Sequence, residues 1–379
     1  MIIGIIKEVQ KYESRVSITP EIVKKLLKNE HSVIIESGSG DKSFYSDSLY
    51  KNAGAKIAES SADVLKESDI LFKVNPPNES EIKQIKSNST VVSFFQIKDE
   101  VKNIPHYINN KLSILSMSHV PRTTLAQNMD ALSSQSNIAG YKATIIGADH
   151  ISKYMPLLMT AAGTIKPAKV LILGAGVAGL AAIANAKRMG AQVYAFDVRP
   201  VVKEQVESLG ANFIEVESDS DEGVGEGGYA KEVSDDYKQK QAELINETIK
   251  SMDIIISTAL IPEKPAPILI NKEMVESMQP GSAIIDLAAV NGGNCELTKC
   301  DEIISHKDVI IDGRSYLPST MAQDASQLYA KNLFNLFNHI YNSENPLNLE
   351  DEITNGSLIL NNGEVNNEIL SKFLEKEQK

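Results

Sequence analysis

The chain has 379 residues, 42% hydrophobic and 23% charged, with 22 glycines and no tryptophan, a composition too apolar and varied for a disordered chain. That length exceeds what one hydrophobic core normally serves, so two domains are expected. A formal net charge of -12 leaves no basic field to neutralise phosphates, which argues against a general nucleic-acid binder.

The opening "MIIGIIKEVQ" reads as a first strand rather than a signal peptide, because Lys7 and Glu8 follow directly on the apolar run. Further strands are predicted at "SVIIE" (32–36), "DILFKV" (69–74), "TVVSFF" (90–95) and "KLSILS" (111–116). Charged periodic stretches lie between them. In "TPEIVKKLLKNE" (19–30), Thr19, Pro20 and Glu21 form a helix start. This alternation predicts βα units and a mainly parallel sheet.

"RTTLAQNMDALSSQSN" (122–137) reads as a helix with Gln127, Asp130 and Ser134 on one face and Leu125, Met129 and Leu132 on the other. The apolar face predicts packing. The polar face holds no Lys or Glu and suits a polar partner, with Arg122 near its start. The competing reading is a helix start at which Ser and Asn bond the backbone.

A second series follows: "KVLILG" (169–174), "QVYAFD" (192–197), "NFIEV" (212–216), "DIIIST" (253–258), "AIIDLA" (283–288) and "DVIIDG" (308–313). After Ser319, "AQDASQLYAKNLFNLFNHIYNS" predicts an amphipathic helix with Leu328, Leu333, Leu336 and Ile340 among its apolar positions. The first domain lacks a closing helix, so this late one is expected to return to it. The expected architecture is therefore α/β, with two Rossmann-like parallel-sheet domains and the second inserted in the first. The first comprises 1–135 plus 320–379 and the second 136–319. The polar tail from Ser343 is either a last helix at "EVNNEILSKFLEKEQK" or a linker or docking tail. Cys295 and Cys300 match no metal spacing, and no metal site is expected. No apolar run approaches the roughly 18–20 residues of a membrane span.

"GAGVAG" follows a strand and opens a helix. Gly174 makes the tight turn, Gly176 admits a pyrophosphate, and Gly179 lets helix and sheet approach. Ala175, Val177 and Ala178 complete the loop, and the helix N-terminus favours an anion. The next strand ends in Asp197, placed to accept both ribose hydroxyls of NAD and repel a 2′-phosphate. Val198 and Arg199 follow; Arg199 is a cation able to pair with a phosphate, but with the acid at the strand end NAD is favoured over NADP. Two further strand ends fit a cofactor crevice: Thr258, Ala259 and Leu260 in "STALIPEKPAP", and Asp286 in "DLAAVNGGNC". "EGVGEGGYAKEVSDDYKQKQ" (222–241) is longer than most βα connections and predicts a mobile lid around Tyr229.

Blocks such as "NMDALSSQSNIAGYKA", "PLLMTAAGTIKPAKVLILGAGVAGL", "AFDVRPVVKEQVESLGANFIEV", "TALIPEKPAP" and "PGSAIIDLAAVNGGNCELT" resemble the NAD(H)-binding alpha portion of proton-translocating nicotinamide nucleotide transhydrogenase. The wider family includes alanine dehydrogenase, which shares the "KE…ESRVSITP" opening. The resemblance implies a homodimer with NAD(H) in the cleft between the two domains. It implies hydride transfer (Re/Si-specific) to NADP(H) on a partner beta subunit, coupled to proton movement through membrane-spanning subunits. It further implies a cytoplasmic protein, peripheral on the inner face of the membrane through its partners and without direct insertion. The family's "R…Q..D..S" motif falls on Arg122, Gln127, Asp130 and Ser133, expected near the nicotinamide, and its loop tyrosine on Tyr229. Val290 and "GRSYLPS" depart from the commoner pattern.

Two other functions compete. An amino-acid dehydrogenase needs cations for a substrate carboxylate, which Arg15 and Lys73 could supply, and an acid–base group. Phe95 and Gln96 stand where its histidine is expected, and His119 is the nearest substitute. A non-catalytic NAD sensor would share the fold but need no ordered polar face beside the nicotinamide.

Overall fold

A computed structural model describes residues 1–216, 234–260, 264–341 and 346–377. In chain order the strands are β1 (Ile2–Ile5), β2 (Ser32–Glu36), β3 (Lys56–Ala58), β4 (Ile70–Phe72), β5 (Thr90–Ser93) and β6 (Ser113–Ser116), followed by β7 (Leu158–Thr160), β8 (Gly163–Ile165), β9 (Lys169–Leu173), β10 (Gln192–Phe196) and β11 (Asn212–Ile214). Then come β12 (Ile254–Ser257), β13 (Ala283–Asp286), β14 (Ile303–His306), β15 (Val309–Asp312), β16 (Leu358–Asn361) and β17 (Glu364–Val365). The chain divides into two compact units, Met1–Gln135 with Ser319–Lys379, and Ser136–Pro318.

In the first unit, β1–β6 pair in parallel, in the order β6-β5-β4-β1-β2-β3. Successive residues face opposite sides, and both sides are apolar, as a parallel sheet covered twice requires. Ile70, Phe72 and Val92 enter one core, whereas Leu71 and Val91 enter the other. Helix Pro20–Lys28 starts with Pro20 in its first turn, where the missing N–H costs nothing, and buries Ile22, Val23 and Leu26. The late helix, Ala322–Tyr341, places Tyr329, Leu333, Leu336, Phe337 and Ile340 in the same core as Ile3, Ile5 and Phe72. The second unit is therefore inserted within the first.

The last helix expected in the tail is present at Glu368–Glu377, but the residues before it are structured as well. After helix Glu352–Ser357, β16 pairs antiparallel with β6 and β17 with β16, and helix Glu368–Glu377 follows. Composition concealed this strand because "SLILNNGEV" offers only one short apolar run. The strands β3, β7, β8 and β14, three or four residues long, also lie outside the predicted set.

The second unit holds a sheet ordered β11-β10-β9-β12-β13-β15-β14, parallel except for β14. Val170 and Ile172 enter one core, Leu171 and Leu173 the other. From β9 the chain builds β10 and β11 outward on one side, then returns to build β12 and β13 on the other. That reversal leaves a crevice at the C-terminal ends of β9 and β12. Part of the expected lid is helix instead: Asp235–Ile249, capped by the Ser234 hydroxyl accepting from the Tyr237 N–H.

One half-buried ring links the first unit to pH. His31 meets Phe337 edge-on at 5.2 Å, and neither ring nitrogen has a hydrogen-bond partner among the described residues. Burial, aided by the N-terminal charge, holds its pKa below the ordinary value. The unfolded chain therefore takes up a proton near pH 6.5 before the folded one does, and stability falls as pH drops through that range. His31→Phe keeps a ring edge and cannot titrate. Between pH 7 and pH 5 the wild type should lose more melting temperature than this variant, and parallel losses would refute the role of His31.

Candidate functional site

The glycine turn sits at the end of β9. Gly174 adopts φ 97°, open to glycine, and a Cβ there would come within 2.8 Å of Thr258 Oγ1. A Cβ on Gly179 would lie 1.9 Å from the Gly174 carbonyl oxygen, so helix Val177–Arg188 can approach the turn this closely only with glycine there. Gly176 differs: a Cβ there would meet nothing within 4 Å. With φ -77° and ψ -166° its backbone suits any residue, so what glycine preserves is open space before a helix N-terminus. Val177 is exposed and Ala178 half-buried beside it. Ala175 is buried in the core, and its N–H donates to Asp197 Oδ2 at 2.7 Å.

Asp197 is buried just beyond β10. Oδ1 accepts from the Arg199 N–H and Nε, both at 2.9 Å, while Oδ2 accepts from Ala175 N and from Arg199 Nη2 at 2.8 Å. A carboxylate offers about four lone-pair positions, and the protein fills them. A hydroxyl ligand binding at this carboxylate would therefore have to take the place of Arg199. Both the ion pair and its hydrogen bonds raise the pKa of Arg199. The guanidinium is committed to Asp197, with Val198 half-buried between the two.

Beyond β12, Thr258 Oγ1 donates to the Gly174 carbonyl at 3.1 Å, which ties the two strand ends together. Ala259 is half-buried and Leu260 exposed. Asp286 is fully buried at the end of β13 and accepts from Ser257 Oγ, Ala288 N, Asn294 N, Cys295 N and Thr298 Oγ1. Its position is structural: it folds the turn after β13 around itself. Asn294, which the sequence did not single out, binds Ala259 through its side chain. Of the departures, Val290 is 65% exposed, and Arg314 pairs with Asp312, whose carboxyl burial would raise but which His150 and Arg314 hold at about 2.

The segment from Arg122 to Asn137 is not one helix. Gln127–Met129 is a 3-10 turn, and the α-helix runs from Ala131 to His150. Asp130 is its N-cap: Oδ1 accepts from the Ser133 N–H at 2.8 Å and Oδ2 from Ser133 Oγ at 2.6 Å. A carboxylate suits that position and its dipole. The expected face of Gln127, Asp130 and Ser134 is thus broken by the cap. Ser134 instead binds Asn332 Oδ1 at 2.8 Å. Leu125, expected to pack, is 80% exposed, as is the side of the turn bearing Arg122 and Gln127. Beneath it, Ala126 and Met129 are buried, and Asn332 and Asn335 both donate to the Asn128 carbonyl. The turn is thereby fixed from the late helix, through residues some two hundred positions away. Tyr229 lies outside the described residues.

Arg15 and Lys73, considered as substrate-binding cations, are engaged internally. Arg15 reaches Glu13 through Nε and Nη2 and Gln135 through Nη1. Lys73 is buried between Glu8 at 3.6 Å and Glu81 at 3.5 Å. Burial alone would raise Glu13, but Arg15 outweighs it and holds the carboxyl at about 2. Glu8 ends on the other side, raised by burial that Lys73 offsets in part.

The glycine turn, the open position at Gly176 and the carboxylate of Asp197 fit a dinucleotide. Gly176→Ala should leave the melting temperature nearly unchanged yet weaken NADH binding about tenfold or more, roughly 1.4 kcal/mol. Gly179→Ala should instead destabilise the fold by about 1–3 kcal/mol through overpacking. Calorimetry and thermal melts check both; unchanged NADH affinity in Gly176→Ala would contradict the pyrophosphate position.

Profiles of known families match both halves of the chain: the alanine dehydrogenase/PNT N-terminal domain over residues 4–139 and the C-terminal domain over 143–368. The chain is 44% identical over 368 residues to the NAD(P) transhydrogenase subunit alpha of Haemophilus influenzae, covering 96% of this chain and 71% of that one. It is 40% identical over 370 residues to the NAD(P) transhydrogenase subunit alpha of Cereibacter sphaeroides, again covering 96% and 71%. The solved transhydrogenase of Sinorhizobium meliloti superposes with a TM-score of 0.84 at 38% identity, covering 96% and 98%. With both family domains present in order along nearly its whole length, the chain belongs to the alanine dehydrogenase/PNT family.

Proposed function

We propose that this chain is the NAD(H)-binding alpha component of a proton-translocating NAD(P) transhydrogenase, transferring hydride between its own NAD(H) and NADP(H) held on a partner beta subunit. The observation that carries this over the dehydrogenase reading is Gln96. It opens a short helix, Ile97–Glu100, just past the buried Phe95, and a carboxamide cannot serve as a general base near neutral pH. His119, the nearest substitute, is bonded through Nδ1 to Ser116 Oγ at 2.8 Å, and burial lowers its pKa. Arg15 and Lys73 are already balanced by carboxylates.

A bound nicotinamide supplies or accepts hydride at a ring carbon and needs no acid or base. The chain's task is then to hold that ring in one orientation and keep the transfer face open to the partner. In this proposal Gly174, Gly176 and Gly179 admit the pyrophosphate, Asp197 with Val198 and Arg199 holds the adenosine ribose, and Thr258–Leu260 borders the nicotinamide half. Gln127 on its rigid turn orients the ring, Arg122 and Leu125 meet the partner, and Asp130 with Ser133 keeps the turn in place.

We further infer a homodimer, and a peripheral position on the inner membrane face through membrane-spanning partners. Among the described residues no helix is long and apolar enough to cross a membrane. Among the described residues the hairpin of β7 and β8 pairs only with itself, too small to be stable alone, and it exposes Met159 and Ile165. A second copy covering it accounts for both features. Met159→Glu should therefore shift light scattering from dimer toward monomer, and a wild type that is monomeric at micromolar concentration would rule out the dimer.

The enzyme class is tested by mixing the chain with a soluble NADP-binding domain of a transhydrogenase beta subunit. Hydride transfer from NADH to an oxidised NADP analogue should appear in the mixture and not in the chain alone. Gln127→Asn should slow that transfer about 100-fold, the typical effect of misplacement by about 1 Å, with a much smaller effect on NADH affinity. Reductive amination of pyruvate by the chain alone, with no rate in the mixture, would restore the dehydrogenase.

A further inference from the structure

We infer that Asn294 is a positioning residue that sets the backbone on which the nicotinamide half of the cofactor rests; the inference depends on the dinucleotide reading given above. The sheet order supplies the first step. The pyrophosphate turn lies at β9, and Asp197, beside it at the tip of β10, marks the adenosine side. The other half of a dinucleotide has to extend across β12, whose end is Thr258–Leu260.

Thr258 is anchored by its N–H on the Leu173 carbonyl and its hydroxyl on the Gly174 carbonyl, but the stretch beyond it has little to hold itself. Ala259 has no polar side chain, and Leu260 is exposed. What fixes it is the Asn294 carboxamide. Oδ1 accepts from the Ala259 N–H at 3.0 Å, and Nδ2 donates to the Ala259 carbonyl at 2.9 Å, so both polar groups of one residue are bracketed. Nδ2 also donates to the Pro267 carbonyl at 2.9 Å, which ties the far end of the same loop to its beginning.

Asn294 is fully buried and immobilised in turn. Its N–H donates to Asp286 Oδ2 at 2.8 Å, and its carbonyl accepts from Leu269 N at 2.8 Å and Ile270 N at 3.0 Å. The chemistry demands an amide of this length. Aspartate would set a carboxylate against two carbonyl oxygens, while alanine would leave three part-buried backbone groups without their side-chain partner. Because Thr258 bonds the Gly174 carbonyl, the bracket also aligns the end of β12 with the phosphate turn.

The test compares two ligands on the full chain. ADP reads the adenosine and phosphate contacts alone, and NADH reads both halves. Asn294→Asp should raise the NADH dissociation constant about tenfold or more, roughly 1.4 kcal/mol, while that for ADP stays within about twofold. The fluorescence of bound NADH should shift toward that of free NADH, since its ring is less fixed. Asn294→Ser, a milder change, should move both readouts the same way and keeps the test valid if the aspartate variant folds poorly. Parallel weakening of ADP and NADH, or unchanged NADH binding in both variants, would overturn the role of Asn294. A wild type that binds neither ligand would overturn the dinucleotide reading itself.

Discussion

Charge cannot be left unpaired inside a protein, and that constraint shapes the second unit more than any other. Asp197, Asp286 and Asp312 all lie buried at C-terminal strand ends, where the chain turns and backbone N–H groups come free. Each acid gathers donors from its own loop. Asp197 and Asp312 each take an arginine two residues on, in the sequences Asp-Val-Arg and Asp-Gly-Arg, whereas Asp286 takes hydroxyls and amides alone. The crevice floor is therefore preorganised by its own carboxylates, and a polar ligand meets dipoles already fixed in place.

The first unit applies the same rule to a different end. Around Lys73 and Arg15 stand Glu8, Glu13 and Glu81, three acids to two bases, with Asn75 donating to both Glu8 and Glu13. Burial raises the pKa of Glu8, and the Lys73 charge and the Val74 N–H offset that rise in part. The late helix joins this network, since the Tyr329 hydroxyl donates to the Lys73 carbonyl. It also carries the asparagines that pin the turn bearing Gln127. One helix thus serves as core, as partner to a buried ion cluster and as the base of an exposed polar turn.

Local chemistry was legible in the sequence, and distant pairing was not. The turn and the helix contact in "GAGVAG" could be read because they are local, Gly174 taking a positive φ and Gly179 clearing the Gly174 carbonyl, and the longer strands because both faces are apolar. The late helix showed by its period, and its return to the first unit by the lack of another closing element. At Asp130 the reading erred for a local reason: helical periodicity carried the pattern through a residue whose side chain caps the next turn and thereby ends it. Asn294 and Asn332 gave no signal at all. Their partners lie 27 to 204 positions away, and an isolated asparagine reads as a turn residue. Lys73 was visible as a charge, but Glu8, far from it in the sequence, reaches it only on folding.

The antiparallel strand β16 carries a consequence for synthesis. It covers β6, whose edge is otherwise an open row of hydrogen-bonding groups. Residues 358–361 emerge from the ribosome more than two hundred positions after β6, and the whole inserted unit is made in between. During that interval, on the order of 10–50 s at ordinary elongation rates, the nascent first unit lacks both its late helix and its edge cover. The inserted unit is contiguous and can fold while the other waits. Nascent chains stalled before residue 322 would thus present an adhesive sheet edge, and chaperone demand should concentrate in that window rather than after release.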